Sequence, residues 1–215
     1  AAGRNLTHHD VNDADALLVR SITKVNEQLI QGTALKFVGS ATIGTDHLDI
    51  PALEKHQIAW SNAAGCNAQA VAEYVITALL HLNQDFLDLG KKFTLGIIGL
   101  GNVGTRLAYM AQLLGWNVIG YDPLVQRENV QQVEFDALLK KADAISIHVP
   151  LTQTGPFATH HLINADALAL MQPETILINS ARGAVVEEAA LMADILKTRR
   201  KVVLDVFEHE PEISQ

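Results

Sequence analysis

The chain has 215 residues, of which 48% are hydrophobic, and its formal net charge at pH 7 is −8. This charge argues against a nucleic-acid partner, because general affinity for nucleic acid requires a basic surface. No apolar run approaches the roughly 20 residues of a membrane-spanning helix, and the polar first residues are not typical of a signal peptide, so we expect no membrane association. Cys66 is the only cysteine, which excludes an internal disulfide and favours a reducing cytoplasm.

The two ends of the chain bear on its completeness. The chain has no initiator methionine, begins without an obvious first strand and stops five residues after Glu210. We therefore expect either an internal piece of a longer protein or a chain that lacks both of its ends.

Residues 13–61 are predicted to form a small α/β unit. Strands are predicted over residues 15–20, 35–41 and 58–61, and helices over residues 26–31 and around 50–56. This alternation implies parallel strands, and ligands bind outside the carboxyl ends of such strands. The loops 20–24 and 41–47 are therefore candidate ligand loops, although ordinary surface turns explain them equally well. A turn-like break at 63–67 and a helix over 68–82 follow.

A glycine-rich turn between a strand and a helix organises the second part of the chain. An apolar strand over 95–100 runs into Gly99-Leu100-Gly101-Asn102-Val103-Gly104, and an amphipathic helix follows until Gly115. In a G-x-G-x-x-G turn, the first glycine permits the tight turn, the second lets a pyrophosphate approach, and the third lets the helix pack on the strand. The N–H groups and dipole of the helix N-terminus favour bound phosphate.

Asp122 ends the next predicted strand, residues 118–121, and lies 122 − 104 = 18 residues after the last glycine. The acid that binds the ribose hydroxyls of a dinucleotide is expected at roughly 20 residues, and its charge repels the 2′-phosphate of NADP. A glycine-rich turn alone is weak evidence, because many doubly wound proteins contain one. The combination of strand, helix, second strand and acid favours a site for NAD.

The alternation of helices and strands continues beyond Asp122. Helices are predicted over residues 135–141, 164–171 and 187–198, and strands over residues 144–149, 175–179 and 202–206. This pattern predicts a doubly wound parallel sheet. Asp205 falls inside the last predicted strand, where its carboxylate must be paired or reach a ligand, because an unpaired buried charge is too costly.

Arg182 and Glu210 are the candidates for catalysis. Arg182 follows a buried strand and precedes Gly183, and its guanidinium can bind a carboxylate through two hydrogen bonds. Glu210, at the tip of the next strand, suits the orientation of a histidine acid or base. A solvated surface position is the alternative for Arg182. His148 is a further candidate base, although a structural role is more common.

No metal site is predicted. The adjacent pairs His8-His9 and His160-His161 lack the i, i+4 spacing of helical metal ligands.

Four segments carry a family resemblance: GLGNVG, HVPL, INSARG and DVFEHEP resemble the NAD-dependent D-2-hydroxyacid dehydrogenases. Within that family, LVRSITKVNEQLI, KFVGSATIGTDHLD and AAGCNAQAVAEYV resemble the members that oxidise a four-carbon 4-phospho-2-hydroxy acid in pyridoxal phosphate biosynthesis. The resemblance implies a Rossmann-type NAD-binding domain over residues 67–215 and a smaller, flavodoxin-like substrate-binding domain over residues 1–66, both doubly wound parallel-sheet units. It also implies NAD as the cofactor and a cytoplasmic homodimer.

The resemblance assigns roles to individual residues. It implies that Arg182 is the catalytic arginine and that Glu210 pairs with a catalytic histidine, which is expected after Glu210, where this chain ends. The residues expected to line the cofactor, beside the glycine-rich turn, are Asp122, Val149, Ser180, Ala181, Arg182 and Asp205. Ser21 and Thr42 are expected to contact the substrate.

The expected substrate is a small anionic phosphorylated 2-hydroxy acid. The residues expected to supply donors for its phosphate are Arg20, Ser21, Thr23, Lys24 and Thr42, and the alternative is that they face solvent or cap local turns. Two other functions stay open, another D-2-hydroxyacid dehydrogenase and a redox-inactive dinucleotide-sensing protein.

Overall fold

The computed structural model describes residues 6–82 and 92–210. The chain divides between Asn67 and Ala68 into two compact units. Within the described ranges, no helix is long and apolar enough to cross a membrane.

The first unit is built on a three-stranded parallel sheet. Its elements are α1 (His8–Val11), β1 (Ala16–Val19), α2 (Glu27–Ile30), β2 (Phe37–Ser40), α3 (Ile50–Lys55) and β3 (Ala59–Asn62). The central strand is β2, in which Ser40 lies opposite Val19 of β1 and Asn62 of β3. The carboxyl ends of the three strands therefore lie at one edge of the sheet.

In its described residues, the second unit contains a sheet of six parallel strands. Its elements are α4 (Ala68–Leu82), β4 (Thr94–Ile98), α5 (Asn102–Leu113), β5 (Asn117–Tyr121), β6 (Gln131–Gln132), α6 (Phe135–Lys141), β7 (Ala144–Ile147), α7 (Ala165–Leu170), β8 (Ile176–Asn179), a 3-10 turn (Gly183–Val185), α8 (Glu188–Thr198) and β9 (Val202–Leu204). The strand order is β6-β5-β4-β7-β8-β9. This is the Rossmann order, in which a dinucleotide binds where the order reverses, between β4 and β7. The predictions of parallel α/β units and of a Rossmann-type domain are confirmed.

Helices cover both faces of the six-stranded sheet. On one face, α4 and α5 pack on Leu95 and Ile97 of β4. On the other face, Ile98 packs with residues of α6, α7 and α8. Gly96 lies on this second face, where the Leu138 side chain occupies the space that a side chain at Gly96 would need. Burial on both faces explains why these strands are apolar runs rather than alternating patterns.

Several predicted elements match the structure, and others need correction. The helices α4 and α6 have the predicted bounds, and α5 ends before Gly115, whose φ is +80°. The prediction of a buried carboxylate at Asp205 is wrong, because β9 ends at Leu204 and Asp205 is exposed in the bend that follows. The pairing of β9 with β8 ends at Leu204 opposite Asn179, so no strand continues to bury Asp205. The two-residue strand β6 and the four-residue helix α1 were not predicted, because they are too short to produce a periodic pattern.

A buried arginine joins the elements around β8. Arg200 is 4% exposed, and its Nε donates to Asp194 Oδ2 at 2.7 Å. Its Nη1 donates to the carbonyl oxygens of Gln172 at 2.8 Å and Thr175 at 3.2 Å, and its Nη2 reaches that of Leu168 at 3.4 Å. The guanidinium therefore satisfies backbone carbonyls at the end of α7 and before β8.

We predict that Arg200→Lys destabilises the second unit by about 2 kcal/mol, since hydrogen bonds to a charged group contribute roughly 1.5–3 kcal/mol and an ammonium cannot form the same fork. Urea unfolding followed by circular dichroism measures the change. The matched control is Arg199→Lys, because Arg199 is exposed and no side-chain partner of it is found within the described residues. Equal unfolding midpoints for the two variants would contradict the assigned role of Arg200.

Candidate functional site

The glycine-rich turn brings the start of α5 against the end of β4. Gly99 has a φ of +93°, a conformation that favours glycine. A side chain at Gly104 would overlap the carbonyl oxygen of Gly99, so α5 can approach β4 only because this residue lacks one. At Gly101, by contrast, an added Cβ meets no atom within 4 Å. The turn is therefore closely packed at its two outer glycines and open at the middle one.

The first turn of α5 offers N–H groups for an anion. The helix begins at Asn102, and its N-cap residue, Gly101, supplies no side-chain hydrogen bond. The N–H groups of Asn102, Val103 and Gly104 have no partner within the helix, because the first turn of any helix lacks them. These N–H groups and the open space at Gly101 fit a pyrophosphate.

Three side chains hold the Leu100 peptide groups within the turn. The N–H of Leu100 donates to Asp122 Oδ2 at 2.8 Å. Its carbonyl oxygen accepts from Thr105 Oγ1 at 2.9 Å and from Arg127 Nε at 3.1 Å. The backbone of the turn is thus hydrogen-bonded from both sides before any ligand binds.

Asp122 has a structural role in addition to the predicted ribose contact. Besides the Leu100 bond, its Oδ1 accepts the N–H groups of Leu124 at 2.9 Å and Val125 at 3.1 Å. A carboxylate has about four acceptor positions, and these three bonds leave one for a ribose hydroxyl.

A cavity of about 370 Å³ lies beside the turn. It is lined by Gly101, Asn102, Thr105, Arg106, Tyr109, Arg127 and Asn129. Sequence analysis did not identify Arg106 or Arg127, because neither belongs to the glycine motif. They give this cavity positive charge although the chain as a whole is acidic.

The end of β7 lies against the first glycine. The His148 N–H donates to the Ile98 carbonyl oxygen at 2.7 Å, and a Cβ at Gly99 would lie 2.9 Å from Val149 Cγ1. The predicted cofactor residue Val149 is thus beside the turn.

The His148 Nε2 lies 2.9 Å from Ser146 Oγ, and burial lowers the pKa of His148 to about 4. Such a weak base favours the structural interpretation of His148.

Asn179, which the sequence analysis did not identify as a site residue, shapes the turn after β8. Its Oδ1 accepts the Ala181 N–H at 3.1 Å, and its Nδ2 donates to the Arg182 carbonyl oxygen at 2.9 Å. Ser180 Oγ is buried and has no hydrogen-bond partner in the described part of the chain. A buried hydroxyl without a partner is uncommon, and a bound ligand would satisfy it.

The turn that carries Arg182 packs against the loop that carries Glu210. A side chain at Gly183 would overlap the backbone of Phe207 and Glu208. Glu210 lies in the same loop, where its Oε1 accepts the Phe207 N–H at 2.6 Å. The two predicted catalytic residues are therefore on adjoining backbone segments. Asp205 directly follows β9, the strand that leads into this loop, and its N–H donates to the Asn179 carbonyl oxygen at 3.0 Å.

Glu208 is fixed by two hydrogen bonds. Its Oε1 lies 2.5 Å from His161 Nε2, and its Oε2 accepts the Glu188 N–H at 3.0 Å. Burial raises the pKa of Glu208, but the Glu188 N–H and the His161 ring together outweigh it and hold that pKa below its usual value. Glu208 is therefore ionised at neutral pH.

In the first unit, Ser21 and Thr42 each lie two residues after a strand, at the same edge of the sheet. Ser21 is exposed, whereas the Thr42 hydroxyl lies 2.8 Å from Ser40 Oγ, which in turn lies 2.9 Å from His47 Nε2. Among the other predicted phosphate donors, Arg20 and Lys24 are exposed, but Thr23 is buried. The substrate roles of these residues stay predictions.

The glycines allow a paired prediction that separates cofactor binding from folding. We expect Gly101→Ala to fold normally and to weaken NAD binding, because the added methyl occupies space that the pyrophosphate needs. We expect Gly104→Ala to lower the unfolding temperature markedly, because it forces α5 away from β4. Isothermal titration with NAD and thermal unfolding distinguish these outcomes. Unchanged NAD affinity in Gly101→Ala would show that the pyrophosphate lies elsewhere.

Comparison with known proteins identifies relatives of both units. An erythronate-4-phosphate dehydrogenase of Acinetobacter baumannii (strain AYE) is 72% identical over 214 residues, which cover 100% of this chain and 60% of that protein. A protein of the same name from Psychrobacter cryohalolentis is 46% identical over 235 residues, covering 100% and 61%. The chain thus spans about 60% of the length of these curated relatives.

Solved structures and a family model agree with this relationship. The D-lactate dehydrogenase of Aquifex aeolicus, solved complexed with NAD and lactic acid, is 29% identical with a TM-score of 0.81, covering 96% of this chain and 68% of that one. The family model described as D-isomer specific 2-hydroxyacid dehydrogenase, NAD binding domain, matches residues 82–215. The predicted family and the predicted cofactor, NAD, are confirmed. The chain belongs to the D-isomer specific 2-hydroxyacid dehydrogenases and carries their NAD-binding domain.

Proposed function

We propose that the complete protein oxidises 4-phospho-D-erythronate to the 2-oxo acid with NAD as hydride acceptor, a step in pyridoxal phosphate biosynthesis. The substrate is supported by the name of the relative that is 72% identical along the whole chain. The structural observation that carries the reaction type is the position of Arg182. Arg182 follows β8 on a turn packed against the Glu210 loop. It lies two residues after Ser180, whose buried hydroxyl has no hydrogen-bond partner among the described residues.

The residues of the second unit fit the cofactor. The open space at Gly101 and the N–H groups of the first turn of α5 suit the pyrophosphate, and the remaining acceptor position of Asp122 suits a ribose hydroxyl. The Ser180 hydroxyl, which has no partner among the described residues, is available to the same ligand. We propose that Val149, Ala181 and Asp205 complete this surface. NAD, when bound, accepts the hydride from the carbon that bears the substrate hydroxyl.

The protein's own side chains would orient the substrate and stabilise charge. The Arg182 guanidinium would bind the substrate carboxylate through two hydrogen bonds and polarise the oxygen that becomes the keto group. Glu210 would orient the catalytic histidine expected after it and stabilise the imidazolium form. Ser21 and Thr42 would contact the substrate from the first unit, with Arg20 and Lys24 near its phosphate.

The assembly and the location of the protein belong to the same proposal. We propose a cytoplasmic homodimer, as the family resemblance implies. Sedimentation equilibrium of the complete protein measures its oligomeric state directly.

Asp122 allows a test of cofactor choice. We predict that Asp122→Ala weakens NAD binding and narrows the preference for NAD over NADP, because the ribose acceptor and the charge that repels the 2′-phosphate are both removed. Arg106 and Arg127 beside the turn would then face the added phosphate without competition from the carboxylate. Titration of the complete protein with both cofactors measures the ratio of dissociation constants. A ratio unchanged from wild type would remove Asp122 from the ribose site.

The substrate is tested by comparing NAD reduction with 4-phospho-D-erythronate and with unphosphorylated D-erythronate. We expect the phosphorylated acid to have a kcat/KM at least about 100-fold higher, since two charge-assisted hydrogen bonds contribute roughly 1.5–3 kcal/mol each. Equal values would contradict the phosphate contact and favour another D-2-hydroxyacid dehydrogenase. NAD binding without turnover of either acid would favour the dinucleotide-sensing alternative.

The same assay tests the proposed role of Arg182 through the variant Arg182→Lys. We expect it to lose most of its turnover but to keep NAD binding, because an ammonium keeps the positive charge beside the cofactor but not the planar two-point contact with the substrate. Near-normal turnover would take Arg182 out of the reaction.

A further inference from the structure

A cluster of histidine and glutamate side chains lies beside the Arg182 turn but outside the proposed reaction. Among the described residues, His160, His161 and Glu208 place potential metal-ligand atoms within 4.8 Å of one another. Glu188, Glu208 and His209 form a second such group, so Glu208 is shared by both. These side chains come from three separate segments of the second unit.

The side chains of the first group are in close contact with one another. His161 Nε2 lies 2.5 Å from Glu208 Oε1, and the rings of His160 and His161 are stacked with centroids 3.9 Å apart and an interplanar angle of 25°. Ligands of tetrahedral zinc lie about 3.4 Å apart, given bonds of roughly 2.1 Å. Metal binding would therefore replace the His161–Glu208 hydrogen bond, move these two atoms apart by about 1 Å and turn the exposed His160 ring toward the ion.

The chemistry of the three side chains also matches a divalent transition metal. Two imidazoles and one carboxylate are ligand types that zinc commonly takes. Glu208 keeps its orientation because its other oxygen accepts the Glu188 N–H, which is the kind of supporting contact that ligands usually have.

The backbone holds His161 in an uncommon conformation at this cluster. His161 has a φ of +52°, in the left-handed region that few non-glycine residues adopt. Its N–H donates to the Ala184 carbonyl oxygen at 2.9 Å, so the surrounding structure maintains this conformation.

An ion pair between His161 and Glu208 is the simpler explanation of part of this cluster. It accounts for the 2.5 Å contact but not for the stacked His160, whose side chain makes no hydrogen bond within the described residues. Spacing along the chain could not reveal the site, because Glu208 is 47 residues from His161.

We propose that His160, His161 and Glu208 bind a divalent transition-metal ion, with zinc as the best match, and that water fills the fourth position. Glu188 and His209 lie close enough to Glu208 to add negative charge and a further nitrogen near the ion. The proposal does not depend on the substrate or on the reaction.

The test is isothermal titration of the complete protein with zinc chloride near neutral pH in a non-chelating buffer. We expect one saturable zinc ion per chain, with binding weakened roughly ten-fold or more in His160→Ala. His160→Ala is the decisive variant, because it removes a ligand and leaves the His161–Glu208 pair intact. Circular dichroism confirms that it folds.

The matched control is His9→Ala, which removes an exposed histidine of another adjacent pair, in the first unit. This variant should bind zinc like wild type, whereas Glu208→Gln should bind as weakly as His160→Ala. Equal affinity of wild type and His160→Ala, or no saturable binding by wild type, would overturn the proposal. Because the measurement is binding, failure of the proposed reaction would not affect it.

Discussion

The fixed backbone around Leu100 is the constraint on which the cofactor side of the second unit depends. Asp122 accepts its N–H, while Thr105 and Arg127 donate to its carbonyl oxygen. With the turn held in this way, Gly104 can lie against Gly99, and there is open space at Gly101, beside the N-terminus of α5. The same carboxylate that is expected to choose the cofactor therefore also shapes the site that receives it.

A second close approach of backbone to backbone joins the catalytic candidates. Gly183 lies against Phe207 and Glu208, so the Arg182 turn and the Glu210 loop cannot move independently. This close packing of backbone on backbone sets the relative position of the two segments. Glu208 strengthens this arrangement because it binds the Glu188 N–H at the start of α8.

Charge is distributed unevenly over the second unit. The chain is acidic, with a net charge of −8, yet Arg106 and Arg127 line the cavity beside the glycine turn, and Arg182 follows β8. These cations give the glycine turn and the segment after β8 local positive charge within an acidic chain, which suits the anionic groups of NAD.

The sequence by itself determined the alternation of strands and helices, the Rossmann-type unit and the position of the glycine turn. Local patterns suffice for these features, since buried parallel strands are apolar runs and glycine is required where backbones meet. The bounds of α4 and α6 followed from helical periodicity alone. Sequence also identified Asp122 and Arg182 as candidates, because Asp122 directly follows a predicted strand and Arg182 lies in the short turn after another.

Tertiary structure alone decided which side chains meet. The exposure of Asp205 depends on where β9 loses its partner, and no pattern within residues 202–206 contains that information. The contacts of Arg127 with Leu100 and of His161 with Glu208 join residues 27 and 47 positions apart. Such contacts arise from the register of the sheet and the packing of loops at its edge. Spacing along a chain carries no record of them, because only folding brings these segments together.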